Sequence, residues 1–324
     1  MARRKKNRPP RKDSSRQAPS RVAHVIEMFG LEALVRPDGE PDDAPLIRAL
    51  LRKKIARKPG VVVGDRVRIE EVETEGDSPG AVIVAVEERD NVLMRAGWRG
   101  HGQAIAANLD AVVVVVSPAQ PPLRLGLIDR YLAACQQAGI PAIICLNKAE
   151  LDVDGEAARE LECYAPLDVQ IVHTSAAEDD VTQLAEALQR RRAVLVGHSG
   201  VGKSSLACAL IPGLDREIGA VNETIGRGRH TTTRSSLLAV PGGGELVDTP
   251  GIRAFGLFKV EPEELEALYP DFDPFREGCR FRGCTHTHEP GCAVREAADE
   301  DKLDAGRFSR YQSLFVSLGE EVDG

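Results

Sequence analysis

Aromatic residues are scarce, 4% of 324 with a single tryptophan, and no apolar run approaches the ~18 residues that a membrane-spanning helix needs. A membrane protein is therefore not expected. The opening MARRKKNRPPRKDSSR has no apolar stretch, which a secretory leader requires, so the chain is expected to be cytoplasmic. Acids are almost missing from the same segment. Eight Arg or Lys stand there against one Asp, although the whole chain carries −8, so a basic arm precedes an acidic body. An arm of this kind, rich in Pro and Ser, cannot pack a core; it either neutralises nucleic-acid phosphates or serves as a solubilising tail. Pairing is lacking among the cysteines too. Seven is an odd number, and without an export leader a disulfide framework is not expected. Cys135, Cys145, Cys163 and Cys208 are scattered, mostly in apolar surroundings, and read as small core residues. Cys279, Cys284 and Cys292 fall close together and need another explanation.

At ~100 to 200 residues per domain, the length suggests two or three domains. Residues 1–20 read as a disordered arm. From 21 to 100, short β-rich runs such as VVVGDRVRIEEV and AVIVAVEER alternate with turn clusters at DGEPDD and EGDSPG, which predicts a small antiparallel barrel. Between its strands lies RALLRKKIARK, six positive charges in eleven residues, either a nucleic-acid face or a solvated one. From about 101 to 257 the pattern changes to buried strands alternating with helices. LDAVVVVVS is a β-branched run covered on both faces, IDRYLAACQQAG an amphipathic helix closed by Gly139, PAIICLNKAEL and DVQIVHTSA two more strands. EDDVTQLAEALQRRR reads as a helix with acids in its first turn and arginines in its last, and AVLVGHSGVGKSSLACALI as strand, loop and helix. SSLLAV-PGGG-ELVDTPG predicts an antiparallel hairpin. A parallel α/β sheet follows from these units, and 258–324 forms a third unit.

Gly197-His198-Ser199-Gly200-Val201-Gly202-Lys203-Ser204, followed by Ser205, fits GxxxxGK[ST] between a strand and a helix. Its backbone N–H groups would turn onto phosphates, Lys203 would reach the β and γ oxygens, and Ser204 would ligate Mg²⁺. Asp248-Thr249-Pro250-Gly251 ends a buried strand, with Asp248 suited to hold Mg²⁺ through water and the Gly251 N–H facing a γ-phosphate. Asn147-Lys148-Ala149-Glu150 resembles the NKxD loop that reads guanine, with Glu in place of Asp. Either that loop shifts, Asp152 substitutes, or guanine selectivity loosens. Ser175 and Ala176 match the short loop whose backbone meets the base oxygen. In the segment GRGRHTTT, Thr231 or Thr232 would complete a Mg²⁺ shell. The order is unusual, since NKAE and TSA precede the phosphate loop. A circular permutation is implied, and it is permissible because every loop still leaves the carboxyl edge of one sheet.

Cys279-x4-Cys284-x-His286-x5-Cys292 supplies three thiolates and an imidazole, the donor set of a closed structural zinc site. His288 is a competing donor two residues on.

Taken together, VVVGDRV, LIDRYL, GHSGVGKSSL, GRGRHTTT and DTPGIR, with the cysteine cluster after them, resemble the small ribosomal subunit biogenesis GTPase family RsgA over nearly the whole chain beyond the arm. The resemblance implies an OB-type barrel, a permuted GTPase and a mostly helical zinc domain in which His286 is the fourth ligand. It also implies GTP hydrolysis to GDP in late maturation of the small subunit, stimulated by that subunit, with contacts to 16S rRNA and action as a monomer. Ile252 follows DTPG where many GTPases carry a water-orienting Gln, so intrinsic turnover is expected to be low. The resemblance gives His230 the task of meeting the attacking water.

Overall fold

The computed structural model describes residues 20–55, 60–72, 78–96, 102–214, 234–248, 256–257 and 259–322. Alternation builds the first unit. In β1 (Arg21–Phe29), β2 (Glu32–Pro37), β3 (Ile47–Leu51), β4 (Arg66–Glu71) and β5 (Ala81–Val86), residues such as Ala23, Val25, Val35, Val67 and Ile83 point into one core while their neighbours face out. The strands run 1-2-3-5-4, and β4 returns to pair with β1, closing a five-stranded barrel. One pair departs from the antiparallel expectation: β3 and β5 are parallel. An odd number of strands cannot alternate direction all the way round a closed ring, so one parallel pair is unavoidable. Of the segment RALLRKKIARK, expected between strands, residues 52–55 do lie between β3 and β4, whereas residues 48–51 are part of a strand. Its first residues belong to β3, where Arg48 pairs with Glu32 and the following Arg52 with Glu70.

A hairpin of β6 (Val92–Ala96) and β7 (Gly102–Ala107) leads into the second unit. There β8 (Ala111–Val116), β9 (Ala142–Asn147), β10 (Gln170–Thr174), β11 (Arg192–Val196) and β13 (Gly244–Asp248) run parallel, with β12 (Ser235–Val240) antiparallel at the β13 edge. All six residues of β8 are buried. Val112, Val114 and Val116 pack on one face with Ile128 of α1 (Leu125–Ala138), while Val113 and Val115 pack on the other with Leu184 and Leu206. This two-sided burial is why the strand is apolar throughout rather than alternating. Gly139 closes α1 in the left-handed conformation, as expected.

α2 (Glu156–Leu161) and α4 (Lys203–Leu210) are also short amphipathic segments. The helix expected over 178–192 shrinks to α3 (Thr182–Ala187), with no acid in its first turn and no base in its last. Its flanks are used otherwise. Ser175 and Asp180 exchange backbone hydrogen bonds that hold the acids in a turn, and Leu188–Arg191 reverses the chain so that Arg192 N–H donates to Asp110 and starts β11.

Barrel and sheet are one ladder, because Glu27 and Met28 of β1 pair with Ser236 and Ser235 of β12. Arg234 adds an ion pair to Glu27 at 2.6 Å. The third unit contains one helical turn, α5 (Asp273–Arg276), then α6 (Ala293–Asp299) and α7 (Ala305–Val322). Tyr269, Phe272, Phe308 and Tyr311 form its core beside Cys284 and Cys292. No described helix is long and apolar enough to cross a membrane.

Candidate nucleotide site and metal centre

Because β9, β10, β11 and β13 are parallel, Asn147, Thr174, Gly197 and Asp248 emerge at one edge of the sheet. The phosphate loop wraps from β11 to α4. Gly197 has φ 141 and a Cβ there would stand 2.2 Å from the Val115 carbonyl oxygen. Gly202 has φ 96 and a Cβ there would stand 2.3 Å from Nδ2 of Asn147. Both positions therefore demand glycine for close approach as well as for backbone angle. Tyr131 of α1, buried under the loop, hydrogen-bonds the Gly197 backbone, and burial pushes its hydroxyl pKa up. The Lys203 ammonium lies over the loop and donates to the Gly197 and His198 carbonyls, both at 2.8 Å. Ser199, Gly200, Ser204 and Ser205 are exposed around it, with Val201 packed into the core below.

Asn147 ties the phosphate loop to the two loops expected to read a base. Its Nδ2 donates to the Val201 carbonyl at 2.8 Å, while its Oδ1 accepts from Thr174 Oγ1 at 3.1 Å and from Ala176 N–H at 3.3 Å. The side chain is 1% exposed, so these bonds are made out of competition with water. Lys148 is left-handed, φ 61, and its ammonium donates to Gln120 O at 2.6 Å. Of the two acids weighed for base recognition, Asp152 is already engaged: its oxygens accept from Ala157 and Ala158 N–H at the start of α2, each at 3.0 Å. Glu150 differs, since its Oε2 is buried with no hydrogen-bond partner. The Ser175 hydroxyl nearby is in the same condition. Asp248 reaches the same edge at the end of β13, its carboxyl raised above the ordinary value by desolvation. His230, Thr231, Thr232 and Gly251 lie outside the described residues.

Two contributors lie within quoted motifs, TSA and LIDRYL, without having been given a role there. Thr174 braces Asn147 and is itself 3.3 Å from Cys145 Sγ. Asp129, on the apolar face of α1, is 1% exposed and accepts from Arg307 at 2.6 Å, from Arg310, and from the Tyr164 hydroxyl at 2.8 Å. Arg307 also binds Asp271 and lies 4.6 Å from the Tyr269 ring centroid. An acid between Ile128 and Tyr131 on a buried helical face was the only signal of this connection in the sequence.

In the third unit the donor atoms of Cys279, Cys284, His286 and Cys292 lie within 4.8 Å of one another. His286 has φ 59, which turns its imidazole inward, with Nδ1 3.3 Å from Cys292 Sγ and 3.6 Å from Cys279 Sγ. A tetrahedral centre with Zn–S bonds of ~2.3 Å has edges of ~3.8 Å, so the spacing and the soft donors fit zinc. Nε2 of His286 faces Glu266 at 3.7 Å, longer than a hydrogen bond, on the side where an outer carboxylate would orient a ligating imidazole. Burial pushes the Cys284 thiol up to about 12, so a cation is what would favour its thiolate. His288 is turned away, exposed and bonded to the Thr287 hydroxyl.

A family model described as RsgA GTPase matches residues 86–258. Among curated proteins, the chain is 39% identical to the small ribosomal subunit biogenesis GTPase RsgA of Ectopseudomonas mendocina, over 94% of this chain and 87% of that one. It is 40% identical to the protein of the same name from Azotobacter vinelandii, over 93% and 87%. Among solved structures it is similar to YjeQ from Thermotoga maritima, with TM-score 0.74, 30% identity and coverage of 93% and 99%. It is also similar to YloQ, a circularly permuted GTPase, with TM-score 0.72, 27% identity and coverage of 95% and 98%.

Proposed function

The chain belongs to the RsgA GTPase family, and on that premise we propose that it hydrolyses GTP to GDP and phosphate on the maturing small ribosomal subunit, which stimulates its turnover. The observation that carries the reading is the Asn147 junction, where one buried side chain holds the phosphate loop and the NKAE and TSA loops in register at a single sheet edge. A purine triphosphate spans that distance, with its phosphates on the 197–205 amides and its base between Lys148, Glu150, Ser175 and Ala176.

Lys203 bears on the β- and γ-phosphate oxygens and the loop amides share their charge as the bond to the leaving group lengthens. Ser204, Asp248 and one of Thr231 and Thr232 would hold Mg²⁺, which when bound neutralises charge between the β- and γ-phosphates. The Gly251 amide is the group expected to meet the γ-phosphate. Ile252 cannot orient water, so His230 takes that task when the subunit positions its segment. Cys279, Cys284, His286 and Cys292 would hold one structural Zn²⁺ with no open position for chemistry. Exposed Phe281, with the Arg280 guanidinium 5.5 Å from its centroid, and the solvent-facing Lys53 and Lys54 suit contacts with 16S rRNA. The place of action is the cytoplasm.

Phosphate release measured with and without purified 30S subunits tests the reading. Turnover should be low alone and rise on adding subunits, and His230→Ala should lose the rise while still binding GTP. Equal release in both conditions refutes the proposed stimulation, and a stimulated His230→Ala refutes that residue's role.

A further inference from the structure

Helix α1 lies between two cores. Ile128, Leu132 and Cys135 pack with Val112 and Val114 of the central sheet, whereas Ala133 belongs to the core of the third unit with Leu265 and Tyr269. Helical spacing produces the two sides, since residues three and four apart share a face. Ile128, Tyr131, Leu132 and Cys135 make one stripe, Asp129 and Ala133 another, and each stripe carries one polar side chain. On the sheet side it is Tyr131, 5% exposed, with its hydroxyl hydrogen-bonded to the Gly197 backbone. This bond opposes the rise in pKa that burial causes, as a donor to the phenolate does and an acceptor of its proton does not. The Gly197 N–H is therefore the donor and the Tyr131 hydroxyl oxygen the acceptor. Gly197 opens the phosphate loop and has little room to move: the Val115 carbonyl oxygen stands 2.2 Å from where a Cβ would be. Its own carbonyl accepts from Lys203 Nζ at 2.8 Å. Tyr131 thus fixes the peptide on which the Lys203 ammonium rests.

On the other stripe Asp129 accepts from Arg307 at 2.6 Å, from Arg310, and from the Tyr164 hydroxyl at 2.8 Å. Arg307 is shared with Asp271, and its side chain is 3% exposed. Hydrogen bonds and charge pairs shielded in this way from water hold geometry more firmly than surface pairs do. Both arginines belong to α7, where the neighbouring Tyr311 and Gln312 hold the loop of the cysteine cluster. A helix moves as a rigid rod over so short a distance, and Asp129 and Tyr131 are separated by about 3 Å along its axis. A displacement of one is therefore a displacement of the other.

We propose that Tyr131 is a positioning residue for the phosphate loop and that the third unit sets its place by holding Asp129 through Arg307 and Arg310. Nucleotide affinity then depends on a unit that contributes no residue to that loop. The inference rests on the reading of 197–204 as the nucleotide's phosphate loop, and GDP, which binds without hydrolysis or a ribosomal subunit, is the probe. Affinity for a fluorescent GDP analogue is measured on the full chain, on Tyr131→Phe, on Arg310→Gln and on the double variant. Tyr131→Phe keeps the ring and removes the acceptor of the Gly197 N–H; it should weaken binding about tenfold, the scale of a buried group left unsatisfied. Arg310→Gln should weaken it about threefold or more, acting only through Asp129. The double variant should bind no more weakly than Tyr131→Phe, because without the hydroxyl the second change has nothing left to move. Lys302→Gln, an exposed cation of the third unit paired with Glu300, should bind GDP as the unaltered chain does. Linkage is reciprocal, so GDP should slow hydrogen exchange of the α7 amides about threefold or more in the unaltered chain and not in Tyr131→Phe. That measurement decides the matter if Arg310→Gln fails to fold. Unchanged affinity in Tyr131→Phe, losses that multiply in the double variant, or α7 exchange indifferent to GDP each overturn the inference and leave the nucleotide reading standing. An unaltered chain that bound no GDP would overturn both.

Discussion

Two side chains at the nucleotide edge have different kinds of consequence. Asn147 is structural and functional at once, because it saturates both a donor and an acceptor that would otherwise be buried alone. Asn147→Ala strands the Val201 carbonyl, leaves the Thr174 hydroxyl with Cys145 Sγ alone, and takes an acceptor from the Ala176 N–H, at ~1–3 kcal/mol for each group left unsatisfied. A stability loss of that order in urea titration, and a fall of about tenfold or more in affinity for a fluorescent GDP analogue, are the expected outcomes. Glu150 concerns choice rather than stability. Its buried Oε2 lacks a donor within the protein, which suits a base carrying N–H groups. Glu150→Gln should leave the fold intact and lower GTP affinity relative to XTP by about tenfold or more, as read by competition. Equal competition by GTP, XTP and ATP in the unaltered chain would instead favour an NTPase of relaxed base choice, the reading that the Glu in place of Asp keeps open.

Among elements, α1 has the most unusual burden. At one point on its length Tyr131 supports the phosphate loop, and two residues earlier Asp129 receives Arg307 and Arg310 from α7. The helix therefore joins the nucleotide edge to the third unit by packing and charge together. Breaking a buried ion pair from one side leaves the other charge uncompensated, at ~3–5 kcal/mol. Arg307→Ala takes from Asp271 its cation and leaves Asp129 with Arg310 and the Tyr164 hydroxyl, so thermal denaturation should show a large fall in Tm. Asp271→Asn with Arg307→Met, which removes both charges of that pair while Arg310 still faces Asp129, should recover part of it. The β1–β12 pairing is the corresponding joint on the other side, two residue pairs and the Arg234–Glu27 bridge at the point where the segment carrying His230 re-enters the sheet.

For the whole molecule, the third unit is where a bound ion would bear most on stability, because Cys279, Cys284, His286 and Cys292 stand together in its core. Tyr311 and Gln312 of α7 hold the ligand loop directly, through the Thr285 carbonyl at 2.7 Å and the His286 carbonyl at 3.2 Å. Removing the ion should loosen α7, and with it the Arg307 bridge to α1. Chelation is expected to release one equivalent of zinc and to lower both helical circular dichroism and affinity for the small subunit. Chelation that leaves both signals unchanged would contradict a structural role. The cluster itself was legible as spacing, as were the phosphate loop and the alternation of buried strands with helices, because each rests on a local pattern of residue types. The extent of α3 was not. Its propensity favoured a longer helix, but the Ser175–Asp180 turn and the bond from Arg192 to Asp110 claimed its ends for tertiary contacts.

The amino-acid sequence alone picked out the loops proposed for phosphate, base and metal chemistry, since such ligands call for Gly, Lys and Cys at fixed spacing. Only the tertiary structure decided that one strand pair in the barrel must be parallel and that the barrel extends the central sheet. It also decided that Asp129 reaches across to Arg307. Those facts depend on which distant segments become neighbours, and a carboxylate or guanidinium acquires its energetic meaning from the partners and water that folding gives or withholds.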